Sequence, residues 1–407
     1  VIAARDLAEE GSRAALERLG VANAEPAAHM PVEARQLRVA LRAAGRQRGD
    51  VLDSKNKTQA CYHLVEACAY EYWHRMLFAR FLAENHLLIH PDHGVAVSLE
   101  EVDELSKESG VDRWTLAGRY ASRMLPQIFR PDDPILKVTF APEHKLGLEK
   151  MLAGLPRDVF VAGDSLGWSY QFWQTRRKEE VNAKGDKIGA DSISAVTQLF
   201  TEHYMVEFLL HNTLGAWWAG KHAAKLKGCA DEEECHKAVA LPGLEWTYLR
   251  FVRVDAKTGE PLPADAPADA AFAWRPAAGT FDGWPKTAKE LTVLDPCCGS
   301  GHFLVTAFDI LVRMRMAEEK LDAAAACVAV LKENLFGLEI DARCTQIAAF
   351  NLAFAAWKLG GWQPLPALNV ACSGLAPSAT LEQWLRLADA ASKAWKAVPG
   401  HARDLVH

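Results

Sequence analysis

No apolar run in this 407-residue chain approaches the roughly 18–20 residues that a membrane-spanning helix needs. The longest, over residues 347–357, is interrupted by Asn351, and the N-terminus lacks the basic, apolar, small-residue layout of a signal peptide. Neither a membrane partner nor secretion is expected, and the reading is cytoplasmic. Positive charge is not in excess either: 46 Lys plus Arg against 52 Asp plus Glu leave a net charge of −6, which excludes nucleic-acid binding by bulk charge and confines any such binding to local surfaces. The nine cysteines are odd in number and scattered through a chain far too long to need stapling, so they read as reduced thiols. Cys229, Cys235 and His236 lie near one another, but the spacing is loose and no matching second pair follows, so no metal is expected. With 50% apolar and 24% charged residues, wholesale disorder is excluded. The chain begins at Val1 rather than Met and stops at Leu405-Val406-His407 without an obvious finishing element, as a fragment would.

What is present has an order along the chain. Residues 1–135 read as a mostly α-helical N-terminal domain: Ala, Leu, Arg and Glu dominate, and Tyr70, Trp73, Leu77, Phe81 and Leu88 recur at helical spacing, with Arg75 and Arg80 on a turn-spaced face. A further helical pattern over 114–124 stops near Pro126, and Arg130-Pro131-Asp132-Asp133-Pro134 is a break. Residues 136–254 form a second helical region, interrupted over 176–191 by a polar stretch whose charge and glycines suggest a loop. Residues 255–290, with Pro261, Pro263, Pro267, Pro276 and Pro285 among Ala, Asp and Gly, read as an irregular connection. In residues 291–407 the period changes. Short strand patterns at 291–294, 335–338 and 369–372 are separated by helix patterns at 303–320 and 342–359, and strands alternating with helices mean an α/β fold with a parallel sheet.

The most informative string is Asp295-Pro296-Cys297-Cys298-Gly299-Ser300-Gly301-His302-Phe303, at a strand-to-helix junction. Its glycines let the backbone turn tightly and approach a ligand, and the helix beyond presents free N–H groups. A Gly-x-Gly alone is weak. The carboxylates sharpen it: Asp295 opens the turn, and Glu339 ends the next strand in Leu335-Phe336-Gly337-Leu338-Glu339-Ile340-Asp341, where it is placed to accept both hydroxyls of a ribose, with Ile340 able to pack on an adenine face. A dinucleotide site expects a third glycine and an acid about 20 residues on. Here the helix continues Phe303-Leu304-Val305, and Glu339 lies 44 residues after Asp295. An acid opening the turn repels a pyrophosphate but suits a ligand with a positive centre, such as the sulfonium and amino group of S-adenosylmethionine.

These residues resemble a known family. The string from Asp295 to Leu304 is similar to the S-adenosylmethionine motif of DNA adenine methyltransferases, and Leu335 to Asp341 to their second motif. The longer pattern is most similar to the large PglX-type adenine-specific enzymes of the BREX and DISARM phage-defence systems. Residues 69–88, the aromatic string Gly167-Trp168-Ser169-Tyr170-Gln171-Phe172-Trp173, and Thr197-Gln198-Leu199-Phe200-Thr201 with the helical 206–218 also fit it, so the resemblance covers roughly residues 55–375. It implies a Rossmann-like methyltransferase domain of which only the first half is present. It also implies S-adenosylmethionine as cofactor, double-stranded DNA and other defence subunits as partners, and N6 methylation of adenine as the activity. Carried over residue by residue, Asp295, Pro296, Cys298, Gly299, Gly301 and Phe303 form the donor turn, Glu339, Ile340 and Asp341 the ribose and adenine side, and Phe200 with Thr201 the methionine side.

Two departures stand out. Glu202 occupies a position where the family has Pro, and Cys372-Ser373-Gly374 offers at best the Ser373 hydroxyl where the third motif supplies Asp or Asn. The family's target-amine motif is Asn or Asp, then Pro-Pro, then an aromatic, and no Pro-Pro pair occurs in this sequence, so no catalytic residue is assigned. That absence keeps open an alternative, a catalytically inactive scaffold or sensor that binds the cofactor. Three further features read as structural first. The basic run Arg35, Arg38, Arg42, Arg46, Arg48, Lys55 and Lys57 is a solvated face before it is a phosphate contact. Trp168, Tyr170, Phe172 and Trp173 pack a core before they stack on bases, and His302 is a helix-start contact rather than a base.

Overall fold

The computed structural model describes residues 1–130, 132–161, 165–184, 201–263 and 271–373. The first of these residues build helices around one core: α1 (Ile2–Arg18), α2 (Val32–Gln47), α3 (Tyr62–Glu84), α4 (Leu99–Ser109), α5 (Arg113–Met124), α6 (Pro142–Ala153) and α7 (Ser165–Lys184). α3 has buried residues around most of its circumference and runs through the middle, with Leu64, Tyr70, Trp73, Leu77 and Phe81 all buried. Boundaries follow local chemistry. Ser98 and Glu101 form a reciprocal capping box at the start of α4, and Gly110 ends it at φ +65°.

Two expectations fail here for stated reasons. The basic run on α2 is neither a solvated face nor a phosphate contact in its middle. Arg38 and Arg42 are 5% and 9% exposed and donate to main-chain carbonyls of the flanking loops, Arg38 to Gly20 and Ala24 and Arg42 to Val21 and Asn23 before the helix, and Arg42 also to Lys57 after it. Five fixed donors make a guanidinium a good staple for carbonyls that no helix or strand satisfies. Burial and the neighbouring Arg38 and Arg46 hold the Arg42 pKa below its usual value. The polar stretch from Arg176 is helical as far as Lys184, supported by an Arg176–Glu180 pair one turn apart (3.1 Å) and by Asp6 of α1 at 3.5 Å from the same guanidinium.

A second core starts with α8 (His203–Leu210), which continues through a π-turn at His211–Gly215 into Ala216–Lys221. The proline-rich stretch is less irregular than its composition suggests, because β1 (Phe251–Asp255) pairs antiparallel with β2 (Phe272–Pro276). Then β3 (Val293–Asp295), α9 (His302–Glu319), α10 (Ala323–Glu333), β4 (Leu335–Glu339), α11 (Ala342–Gly360) and β5 (Val370–Cys372) alternate as the period predicts. The three strands are parallel in the order β3-β4-β5. α10 is the element missed between the expected helix and strand; Asp322 caps it by accepting from the Ala325 N–H.

α11 joins the two cores. Cys344, Ile347, Phe350, Ala353 and Trp357 pack among the N-terminal helices, with Phe350 stacked 4.8 Å from Phe78, while Ala348, Leu352 and Ala356 face the second core. A helix buried on both sides fixes the strand ends relative to the helical region. Among the described residues no helix is long and apolar enough to cross a membrane.

Candidate functional site

The parallel register sets Asp295 opposite Gly337 and Glu339 opposite Cys372, so the carboxyl ends of β3, β4 and β5 lie side by side. That edge is where open α/β sheets hold ligands. The turn after β3 is closed by main-chain bonds, Cys298 N–H to the Leu338 carbonyl (2.9 Å) and Gly301 N–H to the Cys298 carbonyl (2.7 Å).

The two glycines differ in what requires them. Gly301, at φ +84°, lies so close to α11 that a Cβ on it would sit 3.0 Å from the Cβ of Ala348 and 3.1 Å from its Cα. Gly299, at φ +52°, would project a Cβ with nothing within 4 Å among the described residues. One is small for the fold; the other leaves a cradle over the turn that no atom of the described residues fills.

Glu339 ties this turn to the next loop. Its Oε2 accepts from the Gly299 N–H at 2.8 Å and its Oε1 from the Asp341 N–H at 2.9 Å, and the residue is 9% exposed. A carboxylate has about four acceptor positions, so each oxygen retains a lone pair beyond its main-chain partner. Asp295 accepts from the Cys297 N–H at 3.1 Å, and burial pushes its pKa up. Cys298 is buried beneath the turn, its thiol pushed up to about 12 by burial and by the nearby Asp295 and Glu339, so it is no nucleophile at neutral pH.

The other expected site residues fall around this centre. Pro296 is exposed on the turn and Phe303 packs against the second core. Ile340 is 43% exposed at the rim, an unusual position for isoleucine. The Asp341 carboxylate caps α11 through the Arg343 N–H (2.8 Å) and accepts from the Tyr170 hydroxyl of α7, so it braces the loop against the helical region. Ser373 is brought to Glu339 by its backbone, donating its N–H to the Glu339 carbonyl at 2.7 Å. Thr201 lies half-buried just before α8; Phe200 lies outside the described residues.

Tyr170 and Trp173 are fully buried and Phe172 is 51% exposed, so the aromatic string serves packing at two positions and the surface at a third. The side chain of Trp168 lies outside the described residues. His302 begins α9 and its Nε2 is 3.2 Å from Nδ1 of His203. Cys235 is buried and His236 bonds the Leu249 carbonyl at 2.6 Å. Asn351, in the sequence only a break in an apolar run, donates to the Ser300 carbonyl at 3.0 Å and holds the turn after β3 from behind. A lone amide in a buried helix is the signal that points to such a bond. Asn334 does the same for the entry to β3, donating to the carbonyls of Ala288 (2.9 Å) and Leu291 (2.6 Å).

Residues 282–399 match the family model described as MmeI, DNA-methyltransferase domain. The chain is 26% identical over 338 residues to the adenine-specific methyltransferase PglX of Lacticaseibacillus casei, an alignment covering 72% of this chain and 26% of that protein. It is 25% identical over 343 residues to the adenine-specific methyltransferase BrxX of Escherichia coli, covering 76% of this chain and again 26% of the relative. A shorter stretch of 77 residues is 34% identical to PglX of Streptomyces coelicolor, covering 19% of this chain and 6% of that protein. The chain thus spans about a quarter of the length of the curated relatives it matches. Over about three quarters of its own length it is similar to adenine-specific methyltransferases of the PglX and BrxX kind, which bears out the resemblance read from its motifs.

Proposed function

We propose that this chain binds S-adenosylmethionine at the ends of β3 and β4, and that it is the donor-binding part of an adenine-specific DNA methyltransferase of phage-defence type, acting at N6. The observation that carries the reading is the placement of Asp295 and Glu339 on adjacent parallel strand ends across a glycine turn whose Gly299 faces space that no described residue fills. The residues fit the cofactor. Asp295, a carboxylate of raised pKa that accepts from the Cys297 N–H, is suited to the donor's amino end. Glu339 has acceptor capacity left for a ribose, and the exposed Ile340 offers an apolar surface to adenine.

When bound, the cofactor supplies an activated methyl group. The chain's own part is to orient the donor and exclude water, with Phe200 and Thr201 on its methionine side, Pro296, Gly299, Gly301 and Phe303 shaping the turn, and Asp341 and the buried Cys298 holding it from the protein side. Transfer to the amine of a flipped adenine in double-stranded DNA then depends on orientation and desolvation rather than on a covalent intermediate. This reading goes with a Rossmann-like donor domain within residues 291–407 preceded by helical regions over 1–135 and 136–254 and a connection over 255–290. Other defence subunits as partners and a cytoplasmic setting go with it as well.

One observation favours a second reading, a cofactor-binding scaffold without transfer: the sequence holds no Pro-Pro pair for the target amine. Protein expressed from the whole coding sequence, given labelled donor and DNA that is then digested to nucleosides, separates the two. Label in N6-methyladenine supports the enzyme. Cofactor binding with no label in any base supports the scaffold, and label in a cytosine would overturn the adenine assignment.

A further inference from the structure

Among the described residues, a cluster of titratable side chains other than the strand-end carboxylates reaches this turn. His203 is the first residue of α8 and His302 the first of α9. Their rings are parallel within 8° with centroids 5.5 Å apart, and Nδ1 of His203 is 3.2 Å from Nε2 of His302. On its other side, Nε2 of His203 lies 3.3 Å from Oε1 of Glu207, one helical turn on. Two imidazole nitrogens at that separation bond only when one donates and the other accepts. With Glu207 accepting from Nε2–H of His203, Nδ1 is left as the acceptor and Nε2–H of His302 as the donor.

We propose that His203 and His302 are positioning residues, a latch that ties the start of α8, two residues after Thr201, to the donor turn. The inference rests on the reading that this turn holds the cofactor. Position supports it. His302 directly follows Gly301, which closes the turn, so a pull on the imidazole is felt by the turn. Val206 and Leu210 bury α8 on the second core, whereas Tyr204, Met205 and Phe208 are exposed, leaving the histidine pair as a polar tie at the first turn of a helix otherwise held by apolar packing.

The sign of the pH dependence follows. Burial and the neighbouring His203 lower the pKa of His302 below its ordinary 6.5. His302 therefore stays neutral to below 6.5, and the latch is lost when the accepting Nδ1 of His203 takes a proton, because both facing nitrogens are then donors. Titratable groups on these elements include Tyr204 and Glu207 on α8, His211 in the π-turn after it, Asp309 on α9, and Asp295 and Glu339 at the strand ends.

The test uses the full chain with histidines labelled for NMR and titration calorimetry with S-adenosylhomocysteine between pH 5 and 8. In the parent, His302 should titrate below its ordinary value and move back toward it in His203→Ala. At pH 7.5 that variant should bind about 3- to 10-fold more weakly, the worth of one hydrogen bond, and the parent should lose the same factor as the pH falls. His203→Asn, which keeps an acceptor near the Nδ1 position, should retain most of the affinity. Equal affinity of parent and His203→Ala at every pH, or a His302 titration unchanged by the substitution, overturns the latch. Failure of the parent to bind the nucleoside at all overturns the cofactor reading instead, and the latch is then decided by the His302 titration.

Discussion

Gly299 and Gly301 sit two residues apart in one turn, yet their substitution by alanine should have opposite profiles. At Gly301, φ is +84° and the new Cβ would lie 3.0 Å from Ala348 Cβ and 3.1 Å from its Cα, inside the helix that joins the two cores. Left-handed backbone costs about 1–2 kcal/mol for a residue with a Cβ, and forcing a methyl into packed atoms about 1–3 kcal/mol more, so Gly301→Ala should lose roughly 2–5 kcal/mol of stability. At Gly299, φ is +52° and the Cβ meets no described residue within 4 Å, so the backbone cost remains, about 1–2 kcal/mol. If the donor lies over this turn, however, that Cβ enters the volume the ligand needs. An overpacking cost of about 1–3 kcal/mol then weakens the cofactor roughly 5- to 150-fold. Denaturant unfolding measures the first quantity and calorimetric titration with S-adenosylmethionine the second. Gly299→Ala that keeps its fold and binds with the parent's affinity refutes the placement of the ligand over Gly299.

Three other outcomes follow from the same geometry. Glu339→Ala removes the acceptor of both the Gly299 and Asp341 N–H groups, and should cost about 2 kcal/mol of stability together with most of the cofactor affinity; an unchanged calorimetric titration contradicts the ribose role. Tyr170→Phe removes a bond to the Asp341 carboxylate and should cost about 1.5–3 kcal/mol in unfolding while leaving the cofactor dissociation constant within about two-fold, because the bond braces the loop from the protein side. Asp295 has a pKa raised by burial, so its ionised form is disfavoured in the empty site and favoured by a cationic ligand. Cofactor affinity should fall as the pH drops through that raised value, and Asp295→Asn should bind weakly with no such dependence; a matching pH profile in the variant contradicts the role.

Much of the strand-end region was readable because its signals are local. A carboxylate, a glycine turn and a helix start within nine residues predict a strand-to-helix junction, and the junction is there with Asp295 at its head. Glu339 was readable as a strand end, but not as the group that bonds the neighbouring turn, since the register of two strands separated by two helices is a tertiary fact. The arginines of α2 show the opposite case. Their spacing looks like a surface stripe, and only the preceding loop, with its carbonyls in need of donors, turns Arg38 and Arg42 inward. Asn351 and Tyr170 belong to the same class: each acts on a loop 51 or 171 residues away, Asn351 on Ser300 and Tyr170 on Asp341, and nothing in local propensity reports such pairs. α10 was passed over because an alanine-rich helix of 11 residues has few large apolar side chains to mark its period.

The central claim is that the ends of β3 and β4 hold S-adenosylmethionine. The direct measurement is calorimetric titration of the purified chain with that cofactor, beside Asp295→Ala and Glu339→Ala of verified fold. Saturable one-to-one binding by the parent, weakened at least ten-fold in each variant, is the predicted result. Equal binding by parent and variants, or no binding by a folded parent, contradicts it.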